Sequence, residues 1–331
     1  MIGYYVHHVG RGHLHRATAL TAALDMPVTG LSSLPRPTAW RGDWVELDRD
    51  DSTEAPGDTV DGFLHWAPHG EPGLRSRMAA ISAWIDRACP DLVVSDVSVE
   101  VALLARLHGI AVVSVVLPGD RTDRAHQLGY AASREIVSFW PPEAEHMAVG
   151  AGDRLRPLGG LSRYPVYETG HPRTAASSRR VVVLGGKGGG GPTEAQLAVA
   201  RRQTPGWEWE VLGGSDGPWL ADPFPSVCAA DVVVTHAGQN AIAEVAAARR
   251  PAVVVPAVRP HDEQAMTGRV LADERWPALV EPTFPEGGWA GRLERAASLD
   301  GRAWSVWCDG KAADRFAALV TGLVPDRQAA R

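Results

Sequence analysis

Short apolar runs recur along most of the chain, and segments with a helical pattern separate them. The runs are apolar at nearly every position rather than at alternate ones, which is typical of parallel strands buried on both faces. The segment Leu74–Ala88 repeats its apolar residues with the period of a helix. Strands and helices in alternation predict an α/β architecture of doubly wound parallel sheets. The predicted strands are Gly3–Val6, Leu92–Ser95, Ala111–Val116, Val181–Leu184, Trp209–Leu212, Asp231–Thr235 and Ala252–Val255.

The alternation is interrupted twice, by irregular segments at residues 32–73 and 154–179. The second segment lies near the midpoint of the chain, and a new apolar run follows it. We therefore expect it to connect two domains. The predicted division is an amino-terminal acceptor-side domain over residues 1–158, a linker over 159–179 and a carboxyl-terminal donor-binding domain over 180–331, whose last helix can pack back on the first domain.

Composition narrows the class of protein. A chain of 331 residues that is 45% hydrophobic and 22% charged is typical of a globular protein with more than one core. A net charge of −6 gives no reason to expect a nucleic-acid partner. Cys89, Cys228 and Cys308 lack metal-like or redox spacing, so we expect reduced thiols.

With no signal-like start and no apolar stretch of about 20 residues, the prediction is a cytoplasmic protein. Trp40 and Trp44 leave a peripheral membrane contact open, with packing in loops as the alternative.

The loop after the first predicted strand reads "VHHVGRGHLHR" and combines glycine with imidazole. Gly10 and Gly12 permit a tight turn and a close approach to the backbone. The loop lacks the third glycine and the acidic residue of a dinucleotide fingerprint, which argues against an oxidoreductase. Three interpretations remain open: a catalytic or acceptor-binding loop, a solvated polar loop and a metal site. The histidines are His7, His8, His13 and His15.

The loop after Val181–Leu184 reads "GGKGGGGPTEAQ". Bare backbone N–H groups next to a helix start form a cradle for an anion, most naturally a diphosphate. Thr193 is the predicted N-cap of that helix. The loop is not a Walker A motif, because no Lys-Ser/Thr pair opens the helix. The candidate donor-binding residues here are Gly185, Gly186, Lys187, Gly188 and Gly189.

The loop after Asp231–Thr235 reads "HAGQNAIAEVAAA". A helix that begins near Gln239 places Asn240 and Glu244 one turn apart on one face. Gly238 leaves room for a phosphate, and the carboxylate of Glu244 can accept hydrogen bonds from both hydroxyls of a ribose. A later helix opens with Glu263 and Gln264, which can bind sugar hydroxyls. Together with His236 and Ala237, these residues predict a nucleotide-sugar site.

This half of the chain resembles the GT-B glycosyltransferases, specifically the group with a family 28 type carboxyl-terminal domain that includes the N-acetylglucosaminyltransferase of lipid II synthesis. The motif H-x-G-x-N-x-x-x-E from His236 to Glu244, and the pair Glu263–Gln264, carry the resemblance. It implies two Rossmann-like domains facing a central cleft. It also implies that Glu244 binds ribose, that His236 and Gly238 lie by the diphosphate, and that no metal or cofactor is needed beyond the nucleotide-sugar co-substrate.

The amino-terminal half resembles this group more loosely. The stretch "VGRGHLHR" is similar to a glycine-rich loop that ends in histidine, which places His13 at the histidine position. Asp96 ends a strand in "PDLVVSD". A general base with a pKa near neutral is needed to deprotonate an acceptor hydroxyl. We expect His13 to be that base, with Asp96 as the second candidate and His8 as the third. Gly12, Arg163 and Thr193 are expected to support the phosphate site or cleft, and Lys187 and Arg163 to stabilise the leaving diphosphate.

The predicted function is transfer of a sugar from a nucleotide-diphosphate donor to an acceptor hydroxyl, with inversion at the anomeric carbon. A UDP-sugar is the first candidate for the donor. The acceptor can be a small molecule, a lipid-linked compound or a cell-wall polymer precursor. A nucleotide-sugar hydrolase or non-hydrolysing epimerase on the same fold stays open, as does a non-catalytic nucleotide-sugar-binding subunit. Asp48 and Asp50 in "LDRDD" have D-x-D spacing, but they lie away from the phosphate loops, so we interpret them as solvated charges.

Overall fold

The computed structural model describes residues 1–9, 12–51, 58–144, 146–167, 179–186, 191–214, 220 and 222–324. These residues form two compact units. The first unit comprises residues 1–138 and 149–158 and the described residues from 313 onward, and the second unit comprises residues 139–148 and 159–312.

A parallel sheet of seven strands forms the centre of the first unit. Its strands are β1 (Ile2–Tyr5), β2 (Val28–Ser32), β3 (Trp44–Glu46), β4 (Leu92–Asp96), β5 (Ala111–Val115), β6 (Glu135–Ser138) and β7 (Leu155–Pro157). Their order across the sheet is β3-β2-β1-β4-β5-β6-β7. The helices are α1 (Gly12–Ala22), α2 (Pro72–Ala88), α3 (Val99–Leu107) and α4 (Arg124–Ala132). Apolar residues from α2, α3 and the strands, including Ile81, Trp84 and Val93, form a buried core.

The second unit contains a parallel sheet of five strands. These are β8 (Arg179–Leu184), β9 (Trp207–Leu212), β10 (Val232–Thr235), β11 (Ala252–Val254) and β12 (Ala278–Val280), in the order β9-β8-β10-β11-β12. Its helices are α5 (Glu194–Gln203), α6 (Phe224–Ala229), α7 (Gln239–Ala247), α8 (Glu263–Leu271) and α9 (Trp289–Ala297). The last helix, α10 (Ala312–Leu323), belongs from residue 313 onward to the first unit. Across the described residues of both units, 3₁₀ segments occur at Gly152–Arg154, Pro260–Asp262 and Gly301–Ser305, and two-residue strands occur at Gly119–Asp120 and Ala148–Val149.

Strand order places a topological switch point in each sheet. In the first sheet, β1 connects to β2 on one side and has β4 as its other neighbour, with Tyr5 opposite Ser95. In the second sheet, β8 connects to β9 on one side and has β10 as its other neighbour, with Leu184 opposite Thr235. Ligands of open α/β sheets bind at the carboxyl ends of the strands that flank such a point. The loops after β1, β4, β8 and β10 are therefore where a site is expected.

The predicted α/β architecture of parallel sheets is confirmed, and each of the seven predicted strands is present with slightly different bounds. The seven predicted strands do not include β2, β3, β6, β7 and β12. In β2, the segment "VTGLS" carries Gly30 among polar residues although all five positions are buried. Trp40 and Trp44 pack edge to face with ring centroids 5.0 Å apart. Their indole N–H groups donate to the carbonyls of Asp43 and Leu34, so both tryptophans take part in loop packing.

Among the described residues, no helix has both the length and the apolar character needed to cross a membrane.

Candidate active site

His13 and Asp96 form a hydrogen-bonded pair in the first unit. His13 lies in the first turn of α1, which follows β1, and Asp96 is the last residue of β4. His13 Nδ1 lies 3.0 Å from Asp96 Oδ1, which makes Nδ1 the protonated nitrogen and leaves Nε2 as the basic one. The His13 side chain is 14% exposed. Within the described part of the chain its Nε2 has no hydrogen-bond partner. The pair therefore has the geometry of a base held by a carboxylate.

Arg16, one helical turn after His13, contacts the same carboxylate. Its Nη1 donates to Asp96 Oδ1 at 2.8 Å, and both side chains are buried. Burial acts to raise the pKa of Asp96, but the charge of Arg16 and the hydrogen bond from His13 outweigh burial and hold the pKa below its usual value. Asp96 is therefore a permanent carboxylate that orients His13. The sequence placed Asp96 as a second-choice base and did not point to Arg16, although the spacing of three on α1 was a usable signal.

His8 lies deeper than His13 and is 7% exposed. Its ring stacks on His7 with centroids 5.0 Å apart, and its Nε2 lies 3.5 Å from Asp51 Oδ2 and 3.8 Å from Asp50 Oδ1. Burial lowers the pKa of His8 below its usual value. These distances place His8 beside Asp50 and Asp51 rather than in the His13–Asp96 pair.

The interpretation of "LDRDD" as solvated charges is wrong for Asp50. Its side chain is 15% exposed, and its carboxylate forms an ion pair with the buried Arg77 of α2. Asp48, which shares the D-x-D spacing, has no part in this ion pair. The chain segment after β3 brings Asp50 back to the loop after β1, which the spacing of the motif along the sequence could not indicate.

His8, Asp50 and Asp51 are also a group whose ligand atoms lie within 4.8 Å of one another, close enough to surround a metal ion. The two carboxylates already form ion pairs with Arg77 and Arg49. A divalent cation would have to compete with both guanidinium groups, so this donor set does not favour a metal.

A small pocket begins at Val97, directly after Asp96, and is lined by Ser114, Arg121, His126 and Tyr130 among others. Val97 adopts a φ of 69°, which is rare for a β-branched residue and marks this loop as strained. Arg121 Nη1 lies 3.2 Å from His126 Nε2 and donates to it, so His126 Nδ1 carries the proton and donates to Asp123 at 2.5 Å. Burial lowers the pKa of His126 to about 4. With its Nε2 occupied, His126 is not the base that His13 can be.

In the second unit, the loops after β8 and β10 touch each other. A Cβ atom on Gly186 would lie 2.8 Å from His236 Nε2, and one on Gly185 would lie 2.6 Å from the backbone nitrogen of Gly214. Both distances are shorter than real Cβ contacts, so any side chain at either position would have to displace its neighbour. Glycine keeps this part of the predicted diphosphate site open. Lys187, Gly188 and Gly189 lie outside the described residues, as do Gly10 and Arg11 in the first loop.

His236 presents an N–H group to this space. The Gly238 backbone N–H donates to His236 Nδ1 at 3.0 Å, which assigns the proton to Nε2. Burial, together with the charge of Arg259, lowers the pKa of His236 to about 4, so the ring is neutral near pH 7. Its Nε2–H faces the position that a Gly186 side chain would fill. His236 can therefore donate a hydrogen bond to a phosphate oxygen over a wide pH range.

The amino terminus of α7 adds further donors. Gly238 is the N-cap residue, and within the described part of the chain it has no side-chain cap hydrogen bond. The first N–H groups of a helix attract an anion through their unpaired donors and the helix dipole. Ala237 is fully buried, whereas Gln239 and Asn240 are partly exposed in this first turn. The predicted anion site at "HAGQN" thus has the required backbone geometry.

Glu244 lies one turn after Asn240, as predicted, and is 7% exposed. Arg163 Nε donates to its Oε1 at 2.9 Å, and the Arg163 guanidinium stacks over the Tyr164 ring at 4.7 Å. Burial raises the pKa of Glu244 above its usual value, and Arg163 opposes this rise. The Tyr164 ring stacks in turn on Phe224 at 4.3 Å. The contact of Arg163 with Glu244 joins two residues that the sequence predicted for separate roles.

Glu263 and Gln264 open α8 after a strained turn. His261 and Asp262 both have left-handed backbone conformations, with φ of 56° and 55°. Strain of this kind persists only where the surrounding structure enforces it, and it is common at binding loops. Gln264 Oε1 accepts hydrogen bonds from the backbone nitrogens of Ala237 at 3.1 Å and Ala257 at 2.9 Å. Gln264 thus connects the loops after β10 and β11, and only its Nε2 is left to contact a sugar.

Two supporting residues have local structural roles. Thr193 is the N-cap of α5, where its hydroxyl accepts from the Gln196 N–H at 3.3 Å and Gln196 Oε1 accepts from the Thr193 N–H at 2.9 Å. This capping box stabilises the helix start that follows the glycine-rich loop. Gly12 is the first residue of α1, at the turn that brings His13 to Asp96.

Residues 225–273 match the glycosyltransferase family 28 C-terminal domain, and this segment contains His236, Gly238, Glu244 and Gln264. No curated protein matches the sequence.

Similar solved structures cover both units. The glycotransferase of kitacinnamycin has a TM-score of 0.67 at 15% identity, covering 98% of this chain and 99% of its own. MurG of Acinetobacter baumannii has a TM-score of 0.60 at 15% identity, covering 98% of each chain. UGT89C1 of Arabidopsis thaliana, complexed with UDP-L-rhamnose, has a TM-score of 0.60 at 14% identity, covering 98% of this chain and 99% of its own.

The chain has the GT-B fold. At such low identity the structural likeness shows the fold alone. The family 28 match covers the loop after β10 and the start of α8, the segments that carried the resemblance in the sequence, so that resemblance is confirmed. The match and the shared fold support the prediction that the chain is a glycosyltransferase enzyme.

Proposed function

We propose that this protein transfers a sugar from a nucleoside diphosphate donor, with a UDP-sugar as the first candidate, to an acceptor hydroxyl with inversion at the anomeric carbon. The observation that carries the proposal is the His13–Asp96 pair, a base held by a buried carboxylate at the switch point of the first sheet. The family 28 match over residues 225–273 supports a nucleotide-sugar donor. UGT89C1, whose structure holds UDP-L-rhamnose, supports a UDP-sugar.

In the proposed reaction, His13 Nε2 takes the proton of the acceptor hydroxyl as the oxygen attacks the anomeric carbon. The Nδ1–H of His13 keeps its hydrogen bond to Asp96, which stabilises the imidazolium as it forms. The bond from the anomeric carbon to the diphosphate breaks, and the electron pair leaves with the diphosphate. A single displacement from the opposite face inverts the configuration.

The leaving diphosphate gains negative charge and needs donors that are already in place. We assign this role to the open amino terminus of α7, to His236 Nε2–H and to Arg163. Preorganised donors of this kind are each worth about 3–4 kcal/mol in the transition state. Glu244 would hold the ribose hydroxyls, and Glu263 and the Nε2 of Gln264 would contact the sugar.

The first test is a calorimetric panel of UDP, dTDP, GDP, CDP and ADP against the purified protein. We expect one diphosphate to bind more tightly than the others, with UDP first. If UDP binds most tightly, UDP-sugars that differ in the sugar are incubated with acceptor alcohols, and the release of UDP is measured. Binding of none of the five at millimolar concentration would exclude the donor site. Release of UDP that is as fast in water as with any acceptor would instead indicate the hydrolase.

Removal of divalent metal ions should have little effect on the transfer rate, because protein donors stabilise the negative charge of the leaving diphosphate in the proposed reaction. Dialysis against EDTA is expected to leave the transfer rate within about twofold of the untreated enzyme. Addition of Mg²⁺ or Mn²⁺ to the dialysed protein is the control. If EDTA causes a large loss of rate and either cation restores it, α7, His236 and Arg163 are not sufficient to stabilise the leaving diphosphate, which contradicts the proposal.

A further inference from the structure

We propose that Arg16 is a positioning residue that balances the charge of Asp96, so that Asp96 orients His13 without converting it to an imidazolium before the acceptor arrives. The proposal rests on the proposed function of His13 as the base. Its geometric basis is one shared oxygen atom: Asp96 Oδ1 accepts from His13 Nδ1 at 3.0 Å and from Arg16 Nη1 at 2.8 Å.

A base held by a buried carboxylate faces an electrostatic conflict. A negative charge at hydrogen-bond distance favours the protonated form of an imidazole, and little water is present to screen it. A histidine that is already protonated cannot accept the proton of an acceptor hydroxyl. The carboxylate is nevertheless needed, because it fixes the tautomer and orientation of His13. A permanent positive charge on the same carboxylate resolves the conflict.

Arg16 meets the requirements for that charge. The guanidinium stays protonated at any working pH, and Arg16 is only 6% exposed, so solvent screens its charge weakly. Its spacing of three from His13 on α1 lets both side chains reach one acceptor atom. The hydrogen bond of His13 is thus kept while the net charge of the Asp96–Arg16 pair is close to zero.

Among the residues that the structure describes, the other titratable groups that act on this pair do not supply a competing charge near neutral pH. From β1, the hydroxyl of Tyr4 stays protonated, because burial and then the Asp96 charge raise its pKa well above the usual value. From the first loop, His7 has its ring centroid 5.7 Å from that of His13, and burial is the largest cause that lowers its pKa to about 3. Arg77 on α2 acts on His7, but it is paired with Asp50.

The test compares Arg16→Gln with Arg16→Lys. Both side chains can donate a hydrogen bond to Asp96, but only lysine keeps the charge. The titration of His13 is followed by NMR of protein labelled at the histidine rings, with His13→Ala identifying its signal among the 12 histidines. We expect Arg16→Gln to raise the pKa of His13 by about one unit or more, and Arg16→Lys to leave it near the wild-type value.

The same change should appear in the reaction. If the pKa of His13 rises, the neutral base is lost at a higher pH, so the acid limb of the kcat/KM profile moves to higher pH in Arg16→Gln. At a fixed pH on that limb, a His13 pKa higher by about one unit should lower the rate about tenfold. A purely structural role would lower the rate at all pH values without moving the limb. Arg106→Gln, at an exposed arginine of α3, is the matched control.

Two results would overturn the proposal: an unchanged His13 titration in folded Arg16→Gln, or equal changes of the His13 pKa in Arg16→Gln and Arg16→Lys. Folding is checked by circular dichroism and by the signals of the other histidines in the same NMR spectrum, since Arg16 lies in the first unit. The NMR measurement needs no substrate, so it separates this proposal from the proposed function. A rise in the His13 pKa that the rate profile does not follow would support the charge effect and exclude His13 as the base.

Discussion

Replacement of His13 by alanine is expected to reduce the rate of sugar transfer by about 10²–10⁴-fold, the range that one positioned general base contributes. UDP affinity should stay within about twofold of wild type, because the candidate donor residues all belong to the second unit and His13 belongs to the first. His13 is the residue of choice for this test, because among the described residues its Nε2 has no hydrogen-bond partner, whereas Arg121 occupies the Nε2 of His126.

The other member of the pair gives a less direct test. Asp96→Asn removes the charge with which the buried Arg16 forms an ion pair, and loss of one partner of a buried pair costs about 3–5 kcal/mol of stability. A loss of activity in that variant would therefore combine chemistry with unfolding. His13→Ala leaves the Asp96–Arg16 contact in place, so the folded protein should persist.

The measurement for His13→Ala is UDP release from the selected UDP-sugar with the acceptor found by screening, together with calorimetric titration of UDP. His108→Ala is the matched control, since it removes an imidazole from the same unit at a position where the ring contacts Ser82. A His13→Ala variant that keeps the wild-type rate excludes His13 as the base. Collapse of UDP affinity in that variant would assign His13 to donor binding instead.

The sequence indicates where a ligand site is expected, because that position follows from the architecture. Apolar runs without alternation indicate parallel strands, and parallel strands place their carboxyl ends, with the loops that follow them, at one edge of a sheet. The helix start near Gln239, the turn between Asn240 and Glu244, and the N-cap at Thr193 are all local features with local signals. Each of these three predictions is confirmed.

The pairing of side chains could not be predicted in the same way, because it depends on strand order. His13 and Asp96 are 83 residues apart and meet only because β1 and β4 are neighbours in the sheet. Without that neighbour relation, Asp96 had the appearance of a second base rather than the partner of the first. Asp50 was misread for a similar reason, since its ion pair with Arg77 joins the chain after β3 to α2.

The second large effect is expected from Glu244→Ala, which should weaken UDP binding by about 1.5–3 kcal/mol, or about 10- to 150-fold. A hydrogen bond to an ionised acceptor is worth that much, and the carboxylate offers two oxygens for the two ribose hydroxyls. Arg163 holds Oε1 in this structure, so binding of a ribose has to share or displace that contact. The loss of UDP affinity in Glu244→Ala therefore measures the ribose hydrogen bonds minus the Arg163 contact that they replace.

Glu244→Gln separates the shape of the carboxylate from its charge. The amide keeps one oxygen acceptor but cannot pair with Arg163 as an anion, so its UDP affinity should lie between those of wild type and Glu244→Ala. Calorimetric titration of UDP measures all three, and Glu274→Ala, at an exposed acid of the same unit, is the control. Wild-type affinity in Glu244→Ala would mean that the ribose is held elsewhere. Glu244 and Arg163 form their contact within the second unit. Wild-type affinity in Glu244→Ala would therefore give this ion pair a structural role at α7 and not a role in binding. The donor site would then have to lie at another loop.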